Sequence, residues 1–203
     1  MELWALAPII LVLCLGAMSP GPSLAVLIRN TIEGGRGRGV MCGIGHGIGF
    51  GIYALFAISG IAELKSAGGG NVAMLIELIG ALFLIYLAAS MLKKSDGSET
   101  NHSESDYNGF SEGFMIAFLN PKILAFLIAI FSQFIEPEFS WFERILVASI
   151  AMLIDGGWYI LVAIAISGTS MLEKIESRRR EADVAMGIVL ATFAIWIVYH
   201  ATI

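Results

Sequence analysis

Six times along this chain, apolar residues run on for longer than a soluble helix or strand needs. The runs cover residues 3–28, 40–62, 72–92, 113–135, 145–167 and 184–203. Crossing about 30 Å of hydrocarbon takes roughly 20 residues at about 1.5 Å of rise each, so every run predicts a transmembrane helix. Of the 29 charged side chains, only Glu77, Lys122 and Asp155 fall inside a run. An ionised side chain at the bilayer centre costs at least about 2.5 kcal/mol, and the charges are segregated accordingly.

Two of the runs are interrupted near their middles by proline-bearing polar groups: Ser19-Pro20-Gly21-Pro22 in the first and Asn120-Pro121-Lys122 in the fourth. Proline removes a backbone donor and clashes with the carbonyl one turn back, which predicts broken first and fourth helices. Freed backbone groups in hydrocarbon are tolerated where they line a cavity or meet a polar ligand, and a restarting helix aims N–H groups of partial positive charge into the gap. The third connection, 93–112, is rich in Ser, Asp, Glu and Asn and reads as a flexible linker. It divides the chain into a three-helix half at 1–92 and another at 113–203. Three is odd, so the second half enters the membrane from the opposite side. The predicted fold is an all-α membrane protein of six transmembrane helices in two inverted halves. Paired breaks in such halves point to a transporter's binding site, and the competing reading is two ordinary proline kinks.

Composition narrows the class further. The apolar fraction is 57% and the charged fraction 14%, with a net charge of −5, which gives too little polar surface for a soluble domain and no basic face for nucleic acid. Cys14 and Cys42 stand in or beside apolar runs and read as packing residues. The first run lacks the basic leader of a secretory signal, having only Met1 and Glu2 before it, so it is expected to remain as a span. Lys and Arg number nine in the connections after runs one, three and five, and two in those after runs two and four. The odd connections are therefore expected in the cytoplasm and both termini outside.

Asp155 lies near the middle of the fifth run, and an aspartate at that depth is expected to be protonated or paired with a cation. It reads as a proton carrier that also receives a substrate ammonium, bordered by Trp158 and Tyr159 one turn on, or as the structural partner of Lys122. Lys122 either binds a carboxylate in the cavity, pairs with Asp155 or snorkels to the interface. His46 is a secondary candidate for proton relay, against a plain hydrogen-bonded role, and Glu77 is a secondary candidate that reads more readily as interfacial. Gly43, Gly47 and Gly51 form a stripe at four-residue spacing that lets another helix approach closely. No histidine has an acidic partner at metal-ligand spacing, so neither a metal nor a cofactor is predicted.

The SPGP group, Gly34 to Gly39 with its arginines, the glycine-rich second run ending Ser59-Gly60, and Phe110-x-x-Gly113 leading to Asn120-Pro121-Lys122 resemble the LysE/RhtB family of bacterial amino acid exporters. The resemblance implies a carrier of the bacterial inner membrane that exports amino acids or their derivatives, driven by the proton gradient, with an amino acid-like zwitterion and protons as partners in the bilayer. The chain departs from the family's pattern at Ser23, where Asn is frequent, and at Phe50, where a polar or acidic residue is frequent. An intramembrane hydrolase using Ser19 or Ser59 with His46 competes, but lacks a nucleophile-elbow motif. A six-helix channel or scaffold competes as well, and a homo-oligomer is left open.

Overall fold

The structure is a computed structural model that describes residues 6–19, 21–92 and 109–166 and ten positions between 181 and 199. It consists of α1 (Leu6–Ala17), α2 (Pro22–Leu92), α3 (Gly109–Phe118), α4 (Pro121–Phe134) and α5 (Trp141–Ile166). The described positions between 181 and 199 are helical too, and no strand occurs among the described residues.

Helix α2 is not one rod. Gly35 (φ 75, ψ 174) and Gly69 (φ 64, ψ −167) divide it into segments 22–34, 36–68 and 70–92. Positive φ with extended ψ is essentially open to glycine alone, so each residue turns the chain within a single position. The apolar pattern predicts connections over 29–39 and 63–71. The chain instead carries helix up to one glycine and restarts immediately, so these connections become helix ends. The predicted linker also differs at its far end: Gly109 to Glu112 belong to α3, and Glu112 is buried.

Pro22–Gly69 and Trp141–Ile166 are long and apolar enough to cross a membrane. Gly109–Phe118 and Lys122–Phe134, meeting at 56°, make a third candidate span, and the chain is a multi-pass membrane protein. Helix α5 shows how such a span is sided. Leu153 and Leu161 are exposed on its outer face, while Asp155, Gly156 and Tyr159 are buried on its inner one.

Glycines hold the centre together. In the middle segment of α2, Gly43, Gly47 and Gly51 face α5, and a Cβ built on Gly47 would stand 2.6 Å from the Gly156 Cα. The two backbones therefore touch, as the stripe in the sequence predicts. A second glycine face lies opposite: Gly45 and Gly49 lie against α3, whose own Gly109 and Gly113 pack on the carbonyls of Arg38 and Cys42. One segment thus packs two helices at backbone distance. On the other side, Ile9 and Leu13 of α1 join Leu127, Ile130 and Phe131 of α4 in a buried apolar cluster.

Candidate functional site

The breaks close with matching backbone bonds. Before the first, Met18 N donates to Cys14 O (3.1 Å) and Ser19 N to Gly16 O (3.1 Å); before the second, Leu119 N donates to Met115 O (2.9 Å) and Asn120 N to Ala117 O (3.4 Å). Beyond them, Leu24 N and Ala25 N donate to Gly21 O, as Ile123 N and Leu124 N donate to Asn120 O. Asn120 both ends one helix and starts the next, whereas Ser19 and Gly21 divide these tasks. Pro20, between them, lies outside the described residues.

Side chains make the breaks unequal. Asn120 is the N-cap of α4, its Oδ1 accepting from Lys122 N at 3.0 Å, with proline in the first turn. The restart expected to aim open amides into the gap therefore has the amides of Lys122, Ile123 and Leu124 taken by Asn120 itself. Ser19 Oγ, in contrast, is buried with no hydrogen-bond partner among the described residues.

One cavity lies between the breaks. Its walls include Ser19, Gly21 and Pro22 from the first break, Asn120 and Lys122 from the second, and His46, Asp155 and Tyr159 from α2 and α5. Its volume of about 60 Å³ is enough to admit water. The Lys122 ammonium reaches across: Nζ is 3.8 Å from where a Cβ on Gly21 would stand. Phe50, Ile123 and Phe126 supply an apolar wall, and Gly16 leaves room for the Phe126 ring, which a Cβ there would overlap.

The polar centre of the wall is a buried pair. His46 Nδ1 and Asp155 Oδ2 are 2.6 Å apart, with the side chains 1% and 4% exposed. The imidazole stacks on Tyr159, ring centroids 4.0 Å apart at 17°, and the Tyr159 hydroxyl bonds to the Ser23 side chain. His46 Nε2 is buried and has no hydrogen-bond partner among the described residues. A buried polar atom left so costs about 1–3 kcal/mol, which makes it a notable feature of the wall.

The structure thus brings Ser19, Gly21, Pro22, Asn120, Lys122, His46, Asp155 and Tyr159 to one place. Trp158 stands apart, packed against the apolar cluster of Val26, Leu27 and Val162 rather than lining the cavity. The side chains of Glu77 and Pro121 lie outside the described set. Asp155 has His46 as a partner across 109 residues of sequence, a pairing that no local spacing signals.

Each end of the middle segment of α2 carries an ion network. At one, the Glu112 carboxylate accepts from Arg29 Nη2, from Asn30 Nδ2 (2.9 Å) and from Arg38 Nη2 (3.0 Å), while Arg38 Nε donates to Asn30 Oδ1 (2.7 Å). At the other, Arg144 donates to Glu63 Oε1 (3.0 Å) and to Phe139 O (3.0 Å) and lies over the Trp141 ring. The arginines carried orientation in the sequence; that Glu112 joins them followed only from α3 beginning at Gly109. Among the described residues no cluster of acidic, Cys or His side chains could hold a metal. Among the described residues, Ser19 Oγ, Ser59 Oγ and His46 Nε2 are each buried without a hydrogen-bond partner.

A profile of LysE type translocators matches residues 14–201. Among curated proteins, the chain is similar to the uncharacterized membrane protein YahN of Escherichia coli, at 23% identity over 90% of this chain and 83% of that one. An uncharacterized membrane protein of Pseudomonas aeruginosa is 24% identical over 60% of each chain. A leucine efflux protein of Salmonella typhimurium is 26% identical over 58% of this chain and 57% of its own. No solved structure matches.

Proposed function

The chain belongs to the LysE type translocator family, and from that premise we propose that it exports an amino acid-like zwitterion across the bacterial inner membrane in exchange for protons. The observation that carries the proposal is the cavity walled by both helix breaks, with an ammonium on one side and the His46–Asp155 pair on the other. A zwitterion has the complementary polarity. Its carboxylate would meet Lys122 and the polar rim of the first break, its ammonium the acidic pair, and its side chain the wall of Phe50, Ile123 and Phe126. The leucine efflux relative supports an apolar amino acid as cargo.

The architecture proposed for the exchange is six spans in two inverted halves, alternating access around the cavity. Both termini lie outside, and the stretches around Arg36, Lys93 and Arg178 face the cytoplasm. Matching backbone bonds at the two breaks support the repeat. In the loading state the pair has released a proton and accepts the ammonium; a proton arriving from outside then displaces the cargo, and each exchange shifts the population between inward-facing and outward-facing forms.

The test is to load proteoliposomes with labelled amino acids and follow their exit with and without an inward proton gradient. Leucine exit accelerated by the gradient is expected, and exit that ignores the gradient would overturn proton coupling. Cysteines placed at Ser98 and Ser177 report the topology: both are expected to react only with reagents that enter the cytoplasm, and labelling from outside intact cells would reverse the orientation.

A further inference from the structure

Of the two partners in the buried pair, we infer that His46 Nε2 is the atom at which proton and substrate ammonium exclude each other, and that Asp155 acts through the imidazole as a positioning residue. The inference rests on the export reading and goes beyond it by naming the exchanging atom.

Proton bookkeeping across the pair leads there. The 2.6 Å contact between Nδ1 and Oδ2 is a hydrogen bond, and it contains one proton whether imidazole or carboxyl formally owns it. That proton stays while the contact stays. The contact is fixed by backbone, because Gly47 and Gly156, each the next residue along, bring α2 and α5 together at a distance no side chain would allow. Tyr159 stacks on the ring and limits its rotation, and its own hydroxyl is occupied by Ser23. The ring nitrogen left over is Nε2, buried and without a partner among the described residues, on a side chain that lines the cavity. With one proton, the pair has net charge −1 and Nε2 offers a lone pair; with two, it is neutral and Nε2 is a donor. A substrate ammonium is a donor, so it suits the first state and opposes the second. As the ammonium donates an N–H to Nε2, the proton that Nε2 held leaves to water; as a proton returns, the ammonium departs. No other bond changes.

The surrounding groups agree with this assignment. Asp155 and Tyr159 are the titratable side chains that α5 turns to the imidazole, and Lys122 is the one α4 brings to the same cavity. On its own segment, Cys42 is buried one turn back toward α3, where Glu112 is already bound by Arg29, Asn30 and Arg38. The ionisable side chain of α1 is Cys14.

The experiment is calorimetric titration of leucine into the purified full-length protein in nanodiscs, in buffers of different ionisation enthalpy, across pH. The heat difference between buffers counts protons released. Wild type is expected to release up to one proton per leucine at the acidic end, its apparent Kd rising up to tenfold for each unit of falling pH. His46→Asn keeps a donor for Asp155 and lacks Nε2, so release falls to zero and the affinity that remains is flat with pH. Asp155→Asn retains the imidazole, so release persists with an altered midpoint. Release that survives in His46→Asn, or vanishes in Asp155→Asn, would overturn the inference and make the carboxylate the exchanging group. A reading independent of any change at the pair comes from ¹⁵N-histidine spectra of a protein with His102 and His200 replaced by Gln. Leucine is expected to move the Nε2 resonance from protonated to unprotonated; an Nε2 signal that leucine leaves unchanged sinks the inference. Leucine binding by wild type without proton release at any pH overturns proton coupling and this inference together, whereas release by both wild type and His46→Asn overturns the inference alone.

Discussion

At the second break the chain supplies its own closure: Asn120 Oδ1 takes the Lys122 amide while its carbonyl takes those of Ile123 and Leu124. At the first break the carbonyl bonds recur from Gly21, yet no side-chain cap is seen among the described residues, and the Ser19 hydroxyl is buried without a partner. The difference separates two jobs that the sequence motif merges. The Asn120 break is a stable turning point that delivers a charged side chain, Lys122, across the cavity to Gly21. On the proposed function, the Ser19 break is the one whose polar groups meet the substrate.

The largest effect is expected from the charge the second break delivers. Lys122→Gln is expected to weaken leucine binding by about 10- to 150-fold, as loss of a charge-assisted hydrogen bond worth about 1.5–3 kcal/mol would. Unchanged affinity in equilibrium binding would place the ammonium outside the substrate site. The prolines come next and should respond unequally. With no side-chain cap to hold it open, the first break in Pro20→Ala, Pro22→Ala is expected to close toward continuous helix and lose most export. Pro121→Ala, held by Asn120, should keep transport within about twofold. Equal loss in vesicle assays would erase the distinction.

Much of this was legible beforehand, and for a definite reason. Helices long enough to span, the breaks at Ser19–Pro22 and Asn120–Lys122, and the glycine face of α2 toward α5 are written in local patterns of apolar length, proline and four-residue spacing. What escaped depends on contacts between distant segments. His46 read as a lone histidine because its partner is 109 residues away. Glu112 read as the end of a polar linker because nothing near it in sequence shows that Arg29, Asn30 and Arg38 meet it. The turns at Gly35 and Gly69 were hidden among neighbouring glycines, since positive φ is a property of the backbone and not of the letter.

Smaller effects sharpen the contrast between the breaks. Asn120→Ala removes the cap and should cost about 1 kcal/mol, a fall of about 2–4 °C in Tm for a chain of this size. No change in thermal unfolding would mean that the break is held by its surroundings instead. Ser19→Ala removes a hydroxyl with no partner among the described residues, so stability should stay within about 0.5 kcal/mol while leucine affinity falls by less than about tenfold. A marked loss of stability with unchanged affinity would reverse the roles given to the two breaks.

Substrate protection tests most directly whether the two breaks wall one substrate site. In a background with Cys14 and Cys42 replaced, single cysteines at Ser19 and at Ile123, one from each side of the cavity, are alkylated at increasing leucine concentration. Leucine is expected to slow both reactions with the same half-protecting concentration. Protection at one position alone, or at neither while leucine is still exported, would contradict it.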